Sequence, residues 1–532
     1  SEMCIRDRYL KFANLQMAAE ALFTLDATKE GIVLTPGEVR SGSIDPKVLT
    51  DGNLHASKFT TTEAEKFATD WDVVEHKSNT GTGFSGTLFK NKTTNEYVIS
   101  FRSTEFLDDA ARDNQATNTL EIKEKGWAFG QIDDMEAWYK HLTETKLIPD
   151  DAKFSVTGYS LGGHLATAFN LLRREDGTQS RIDQVVTFNG AGVGNIKQGT
   201  LGSVMEEFHE LRTQTAKVDA AITDTALRTL VQTIRTNLTP IFDQARLTNS
   251  SDQTPYLNAI AVAKASIEAL RTESRPMLSP EQLMVVKALD RMETIIKEAR
   301  DAPLLPSGSS DPEVPRNPAK IPFSQIDQVQ FDYQLAVLLT AQKTKAFDLL
   351  DGLNQTFTES HIASDAMANQ FDVQGATLPS AVSNSQLHYG TSVGIFIEDQ
   401  PLKRGDYISE ALTRSLSYLD IKLLTPNYTV NDFGDTHSLV LLVDSLNVQN
   451  TLLQMLPQAQ RADAGATLKS SKSTYGLLHS ILQSASNQVA SSNSDQGKAE
   501  GDVLENTLNA LADLVLGPGT FTRLKGLSLI HI

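Results

Sequence analysis

Phe154-Ser155-Val156-Thr157-Gly158-Tyr159-Ser160-Leu161-Gly162-Gly163-His164-Leu165-Ala166 is the stretch from which the fold can be read. It contains a Gly-x-Ser-x-Gly pentad, Gly158 to Gly162. A β-prone run with Phe154 and Val156 leads into the pentad, and a helical run from Leu165 to Leu172 follows it. The pentad alone is common in unrelated chains. Strand before and helix after make it a nucleophile elbow, a sharp turn that presents a serine at the edge of a sheet. Such a turn strains the backbone at Ser160, and bulk on either side would clash. Gly158 and Gly162 supply the missing side chains, and Gly163 lets the helix approach the sheet. The helix start sets the Leu161 N–H beside the nucleophile, where an oxyanion would form. The competing reading is a tight strand–helix turn with an inert serine.

Outward from the elbow, strands and helices alternate. A helix is expected over Tyr9 to Leu25, and a short one around Thr62 to Trp71. A hairpin pattern follows, with strands Gly83–Phe89 and Tyr97–Phe101 around the turn Lys90–Asn95. An aromatic helix with Trp127, Phe129 and Trp138 leads to the elbow strand, and Gln184–Gly190 reads as a further buried strand. This alternation predicts an α/β fold with a doubly covered, mostly parallel sheet. The pattern then turns helical. One start is explicit in Ser279-Pro280-Glu281-Gln282, with Ser as N-cap, Pro at the first helical position and Gln three residues after the cap. A second long helix is expected from near Ser324 to Leu350, and strand character resumes at Met367–Val373 and Val393–Ile397.

The expected organisation is an α/β core in two parts, residues 9–198 and 360–447, split by an all-helical insertion over 199–359. The insertion is a candidate cap or lid, the alternative being a packing or partner-binding appendage. Its Pro-rich linker, 303–322, holds six of the chain's 18 prolines. Residues 448–526 read as a truncated helical C-terminal region. Residues 1–8 and 527–532 resemble translated sequencing-adapter read-through and are set aside, which removes Cys4, the single cysteine. The 532-residue length allows two or more structural units. A formal net charge of −18 without a basic cluster argues against nucleic acid and anionic membrane as main partners. No apolar run is long enough to span a bilayer. Acidic pairs such as Asp108-Asp109 and Asp133-Asp134 read as solvated or capping residues on helix faces.

A serine hydroxyl needs a general base, and the base needs an orienting carboxylate. On this fold they follow in the order Ser, acid, His. His164 sits within the elbow helix and reads as structural, and His361 fits a helix cap. His437, in a turn just before an apolar run, is the first choice for the base, with His388 as runner-up. Asp372, at the end of a strand-like run, is the first choice for the acid, ahead of Asp399. Asp435 stands too close to His437. No zinc, EF-hand, dinucleotide or Walker signature occurs, so no metal and no cofactor is expected.

Phe101-Arg102-Ser103-Thr104-Glu105, Lys125-Gly126-Trp127-Ala128-Phe129, the Gly-Tyr-Ser-Leu-Gly-Gly-His elbow and Thr187-Phe188-Asn189-Gly190 fall in the order seen in class 3 lipases. The resemblance covers roughly Gly83 to Gly194 and resumes from about Met367 to Asp444. It implies an α/β-hydrolase fold and an oxyanion hole formed by Thr104 and the Leu161 N–H. Ser103 stands where the family has Gly, and Asn369–Val373 is an imperfect match to the family's acid segment, which continues into a Val-Pro pair. The stretch Asp432 to Leu446 and the insertion look like large bacterial lipase-like proteins, some of them calcium-binding and exported, which implies a secreted, extracellular setting. No Asp/Gly nonapeptide repeat is present, so calcium is not inferred. The implied activity is hydrolysis of ester or lipid substrates, at a lipid–water interface in the lipase case, through Ser160, His437 and Asp372. A phospholipase or polyester hydrolase, and an interaction protein with a vestigial site, are the alternatives.

Overall fold

A computed structural model describes residues 2–21, 23, 42–53, 57–104, 110–301, 321–345, 367–371, 381–383 and 386–394, with 439, 440, 442, 443, 446, 447 and 450. His361, Asp372, Asp399, Asp435, His437 and residues 303–320 of the Pro-rich linker lie outside the described residues. The chain divides into two compact units, one of residues 14–363 and 368–392, the other of residues 1–13, 364–367 and 393–532. In the second unit Leu439, Leu442, Val443 and Leu446 are buried at the spacing of one helix face. Helix α1 (Glu2–Ala19) begins well before the expected Tyr9.

The first unit is built on one sheet. Its strands are β1 (Gly42–Ser43), β2 (Trp71–Lys77), β3 (Gly86–Asn91), β4 (Tyr97–Phe101), β5 (Phe154–Tyr159) and β6 (Ile182–Phe188). Two pairs of short strands, β7 (Asn195–Ile196) with β8 (Thr344–Lys345) and β10 (Ala381–Ser383) with β11 (Gln386–His388), stand apart from it. With β9 (Met367–Phe371) and β12 (Thr391–Gly394), the main sheet runs β1-β2-β3-β4-β5-β6-β9-β12.

The sheet is mixed, not mostly parallel. β4, β5 and β6 are parallel neighbours, while β1-β2, β2-β3, β3-β4 and β6-β9 pair antiparallel. For β2-β3 and β3-β4 the reason is connection length, since short links join them, whereas parallel neighbours need a crossover. At the β3–β4 turn the Asn91 Oδ1 accepts from the N–H groups of Thr93 and Thr94, both at 2.9 Å, and Asn95 takes φ 58°. Strand β2 escapes the sequence reading because its polar residues Glu75 and His76 are buried. Every residue of β5 is buried, as in a central strand covered on both faces.

Between α2 (Pro46–Asp51) and β2 lies α3 (Thr61–Asp70), started by a capping box of Thr60 and Glu63. A π-helical segment (Ala110–Lys123) and α4 (Phe129–Glu144) cross from β4 to β5, and α5 (Leu161–Glu175) leads to β6. Phe169 of α5 is a packing centre, 4.8 Å from Tyr139, 5.8 Å from Phe101 and 6.0 Å from Phe154 between ring centroids. His164, also on α5, is fully buried. Its Nε2 accepts from the Ala128 N–H at 3.1 Å, and its Nδ1 lies 3.0 Å from the Gly192 carbonyl oxygen. It is a structural histidine, as expected. Burial lowers its pKa to about 4, with the Gly192 bond opposing the shift.

Helices α6 (Leu201–Thr213), α7 (Thr215–Ala221), α8 (Thr225–Leu247), α9 (Thr254–Glu268), α10 (Pro280–Asp301) and α11 (Phe331–Thr340) follow β6 in the chain. The cap at Ser279 forms as read, with the Gln282 N–H donating to Ser279 Oγ at 3.2 Å and the Ser279 N–H to Gln282 Oε1 at 2.9 Å. Helix α11 is shorter than the span expected from Ser324. Two 3-10 turns, Phe323–Gln325 and Asp327–Val329, precede it, because the Asp327 N–H turns outward to the Gly81 carbonyl oxygen at 2.7 Å.

Asp133 and Asp134 are half-buried and ion-paired, neither freely solvated nor capping as the sequence suggests. Arg212 of α6 reaches Asp133 at 2.9 Å, Asp134 at 2.8 Å and Asp327 at 3.0 Å. The hydroxyl of Thr82 donates to Asp134 at 2.6 Å. One guanidinium thus holds three carboxylates from α4 and the Asp327 turn. Removing one partner of such a cluster leaves uncompensated buried charge, so Arg212→Ala is expected to destabilise the fold by about 3 kcal/mol, read by urea unfolding.

His164 sets a second expectation. Its folded pKa lies below the unfolded value of 6.5. As pH falls from 6.5 towards 4 the unfolded chain takes up the proton first, so stability declines across that window. His164→Gln should make that part of the decline smaller in urea unfolding at stepped pH.

Candidate active site

Ser160 sits between β5 and α5 at φ 54° and ψ −118°. This is a sparsely populated conformation for a residue with a side chain, costing about 1–3 kcal/mol. The surrounding backbone fixes it. The Ser160 N–H donates to the Phe188 carbonyl oxygen at 3.1 Å, and its own carbonyl oxygen accepts from the N–H groups of Gly163 and Ala191, both at 3.0 Å. Glycine is required around it by space. A Cβ on Gly158 would overlap the Gly162 carbonyl, and one on Gly162 would overlap the Phe101 carbonyl oxygen. A Cβ on Gly163 would fall 2.5 Å from the Gly190 Cα. All three glycines of the elbow therefore serve the close approach that the sequence predicts. Ser160 itself is 4% exposed.

Leu161 is the first residue of α5, so its N–H has no partner within the helix and points out of the helix start. Strand β4 runs parallel beside β5 with Phe101 level with Gly158, and Thr104 follows three residues later. Thr104 is buried, and its Oγ1 accepts from Asn118 Nδ2 at 2.8 Å. That bond occupies an acceptor site and leaves the hydroxyl proton to donate elsewhere. Asn118 belongs to the π-helical segment and was not legible as a site residue in the sequence. Segments of this kind recur at functional sites.

A second group escaped the sequence reading. Gln16 and Glu20, four residues apart at the end of α1, are buried beside β4. Gln16 Nε2 donates to the Phe101 carbonyl oxygen at 2.9 Å and to Glu20 Oε1 at 2.8 Å, and Ser100 Oγ donates to Gln16 Oε1 at 2.9 Å. The Ser103 N–H donates to Glu20 Oε1 at 2.9 Å, and Arg102 Nη2 donates to the Glu20 carbonyl oxygen at 2.6 Å. Burial raises the Glu20 pKa, against the opposing pull of Arg102. The available signal was two long polar residues at helical spacing inside an apolar run, Leu15 to Ala21.

Of the other sequence-predicted residues, Asp372, Asp399 and His437 lie outside the described residues. Strand β9, which precedes Asp372, pairs Ala368 with Phe188 and Phe371 with Val185. It therefore runs away from the Ser160 edge of the sheet as it proceeds. His388 ends β11, whose Leu387 forms a two-way backbone bridge with Val193, at 3.0 and 2.9 Å. Val193 lies two residues beyond Ala191, which bonds to Ser160. Among the described residues no group of three or more His, Cys, Asp or Glu could hold a metal ion, and no helix is long and apolar enough to cross a membrane.

Comparison with curated proteins finds no match. Residues 86–218 match the family described as Lipase (class 3). The matched span begins at β3, takes in Thr104 and the whole elbow, and runs into α7. The similarity to class 3 lipases thus spans residues 86–218, with the strained serine and its glycines in the middle.

Proposed function

We propose that the chain is a serine-dependent carboxylic ester hydrolase of the lipase or esterase type. The observation that carries this reading is Ser160 held at φ 54° at the start of α5, inside the lipase-matching span. Ser160 Oγ attacks the ester carbonyl carbon while a histidine takes its proton. The carbonyl oxygen gains the negative charge and is met by the Thr104 hydroxyl and the Leu161 N–H. The histidine then passes its proton to the departing alcohol, leaving an acyl-enzyme. Water, deprotonated by the same histidine, releases the acid and restores Ser160.

The base is His388 or His437. The bridge between Leu387 and Val193 supports His388, because it joins the backbone before that histidine to the loop bonded to Ser160. The acid is Asp372 or Asp399, and the course of β9 away from the elbow edge is an argument for Asp399. We read α6–α11 as an insertion between β6 and β9 that walls the substrate pocket. In support, Tyr333 of α11 donates to Glu121 at 2.5 Å and Arg291 of α10 donates to the Leu120 carbonyl oxygen at 2.7 Å, both in the segment that carries Asn118.

Ser160→Ala should abolish hydrolysis of a p-nitrophenyl ester series, short to long acyl chains, while keeping the native melting transition. Thr104→Val should lower kcat by about 100-fold with KM little changed, as for loss of one oxyanion donor. His388→Ala should be as inactive as Ser160→Ala if it is the base, and His437→Ala then keeps most of the activity. Undiminished turnover in Ser160→Ala would refute the reading, and silence of the wild type on every ester would favour an interaction protein with a vestigial site.

A further inference from the structure

We infer that the Glu20 carboxylate is a positioning residue for the oxyanion donor Thr104, acting through the backbone of Ser103. This rests on the ester hydrolase reading above. Residues Ser100 to Ser103 are consecutive, and each is tied to Gln16 or Glu20 on one turn at the end of α1. The last of these ties, from the Ser103 N–H to Glu20 Oε1 at 2.9 Å, falls one residue before Thr104. It fixes the Arg102–Ser103 peptide, one residue ahead of the Thr104 backbone. From the other side Asn118 fixes the Thr104 hydroxyl at 2.8 Å. Glu20 thus holds the chain one residue ahead of the donor, and Asn118 holds the donor's hydroxyl.

An acid at this position needs a reason. Glu20 is 1% exposed and Gln16 is fully buried. A buried carboxylate is costly unless hydrogen-bonded, and a neutral amide could have accepted the Ser103 N–H. A carboxylate oxygen makes that bond charge-assisted, roughly twice as strong as a neutral one. Arg102, adjacent to Ser103, supplies the compensating charge. The Ser103 hydroxyl also bonds Glu20. The Ser103 side chain thus gives the carboxylate a second hold on the same residue.

The test is a double-mutant cycle of Glu20→Gln and Thr104→Val on the full chain, reading kcat, KM and melting temperature with a p-nitrophenyl ester. Glu20→Gln should lower kcat by about tenfold with KM nearly unchanged, a fraction of the loss for deleting an oxyanion donor. That loss should vanish when Thr104 is already valine, because nothing remains to be aimed. An equal fractional loss in both backgrounds, or a lowered melting temperature without a change in kcat, would overturn the proposal. Should Glu20→Gln fail to fold, Ser103→Gly keeps the backbone N–H and drops only the hydroxyl bond. It should give a smaller kcat loss that again disappears with Thr104→Val, and persistence of that loss would overturn the proposal equally. Failure of the underlying reading is separable, since Ser160→Ala or Thr104→Val would then leave turnover intact whatever Glu20 does.

Discussion

Backbone meets backbone where α5 leaves β5, and no side chain fits between. Gly162 sits against the Phe101 and Arg102 carbonyls, Gly158 against Gly162, and Gly163 against Gly190. That approach brings the end of β4, the elbow and the loop after β6 within hydrogen-bonding reach of one another. It also forces Ser160 into its positive φ, at a cost of about 1–3 kcal/mol that the packing around Phe169 and the buried strand β5 offsets. A Cβ at any of the three glycines would push α5 outward and relax the serine. The strain and the site are one feature seen from two sides.

Around this contact several buried polar groups tie one element to another. Glu20 ties α1 to the end of β4, and Glu121 ties the π-helical segment to α11 and α4. Burial raises the Glu121 pKa to about 7, against the Tyr333 and Arg291 interactions that favour its charge. Arg291 adds bonds to Glu124 and Gln334, and Arg212 gathers Asp133, Asp134 and Asp327. The helices after β6 are thus joined to the sheet unit by ionic and hydrogen-bonded ties as well as by apolar packing. The loop bearing Thr104 is clamped between the α1 end and the segment bearing Asn118.

The elbow was legible in the sequence because its chemistry is local. A strand, a turn and a helix in thirteen residues must place glycine where backbones touch, and that requirement is written residue by residue. The helix start at Ser279 was legible for the same reason, since a cap needs one side chain and a nearby N–H. Strand β2 was not, because Glu75 and His76 are buried by partners distant in sequence: Trp138 and His141 bond Glu75, and Thr87 bonds His76. Asp133 and Asp134 were misread for the same cause, as their partner lies on α6. Sheet direction failed on a third ground, for alternation of strands and helices says little about the hairpins at one edge. Glu20 and Asn118 act through contacts of 83 and 14 residues' separation, which no local pattern encodes.

The central claim is that the strained Ser160 is an activated nucleophile. Labelling the full chain with a fluorophosphonate probe, followed by mass spectrometry of its peptides, addresses that claim without any choice of ester. The account predicts a single adduct, on Ser160, formed within minutes, and none when the chain is unfolded before labelling. An unlabelled chain, or an adduct on a different serine, would contradict it.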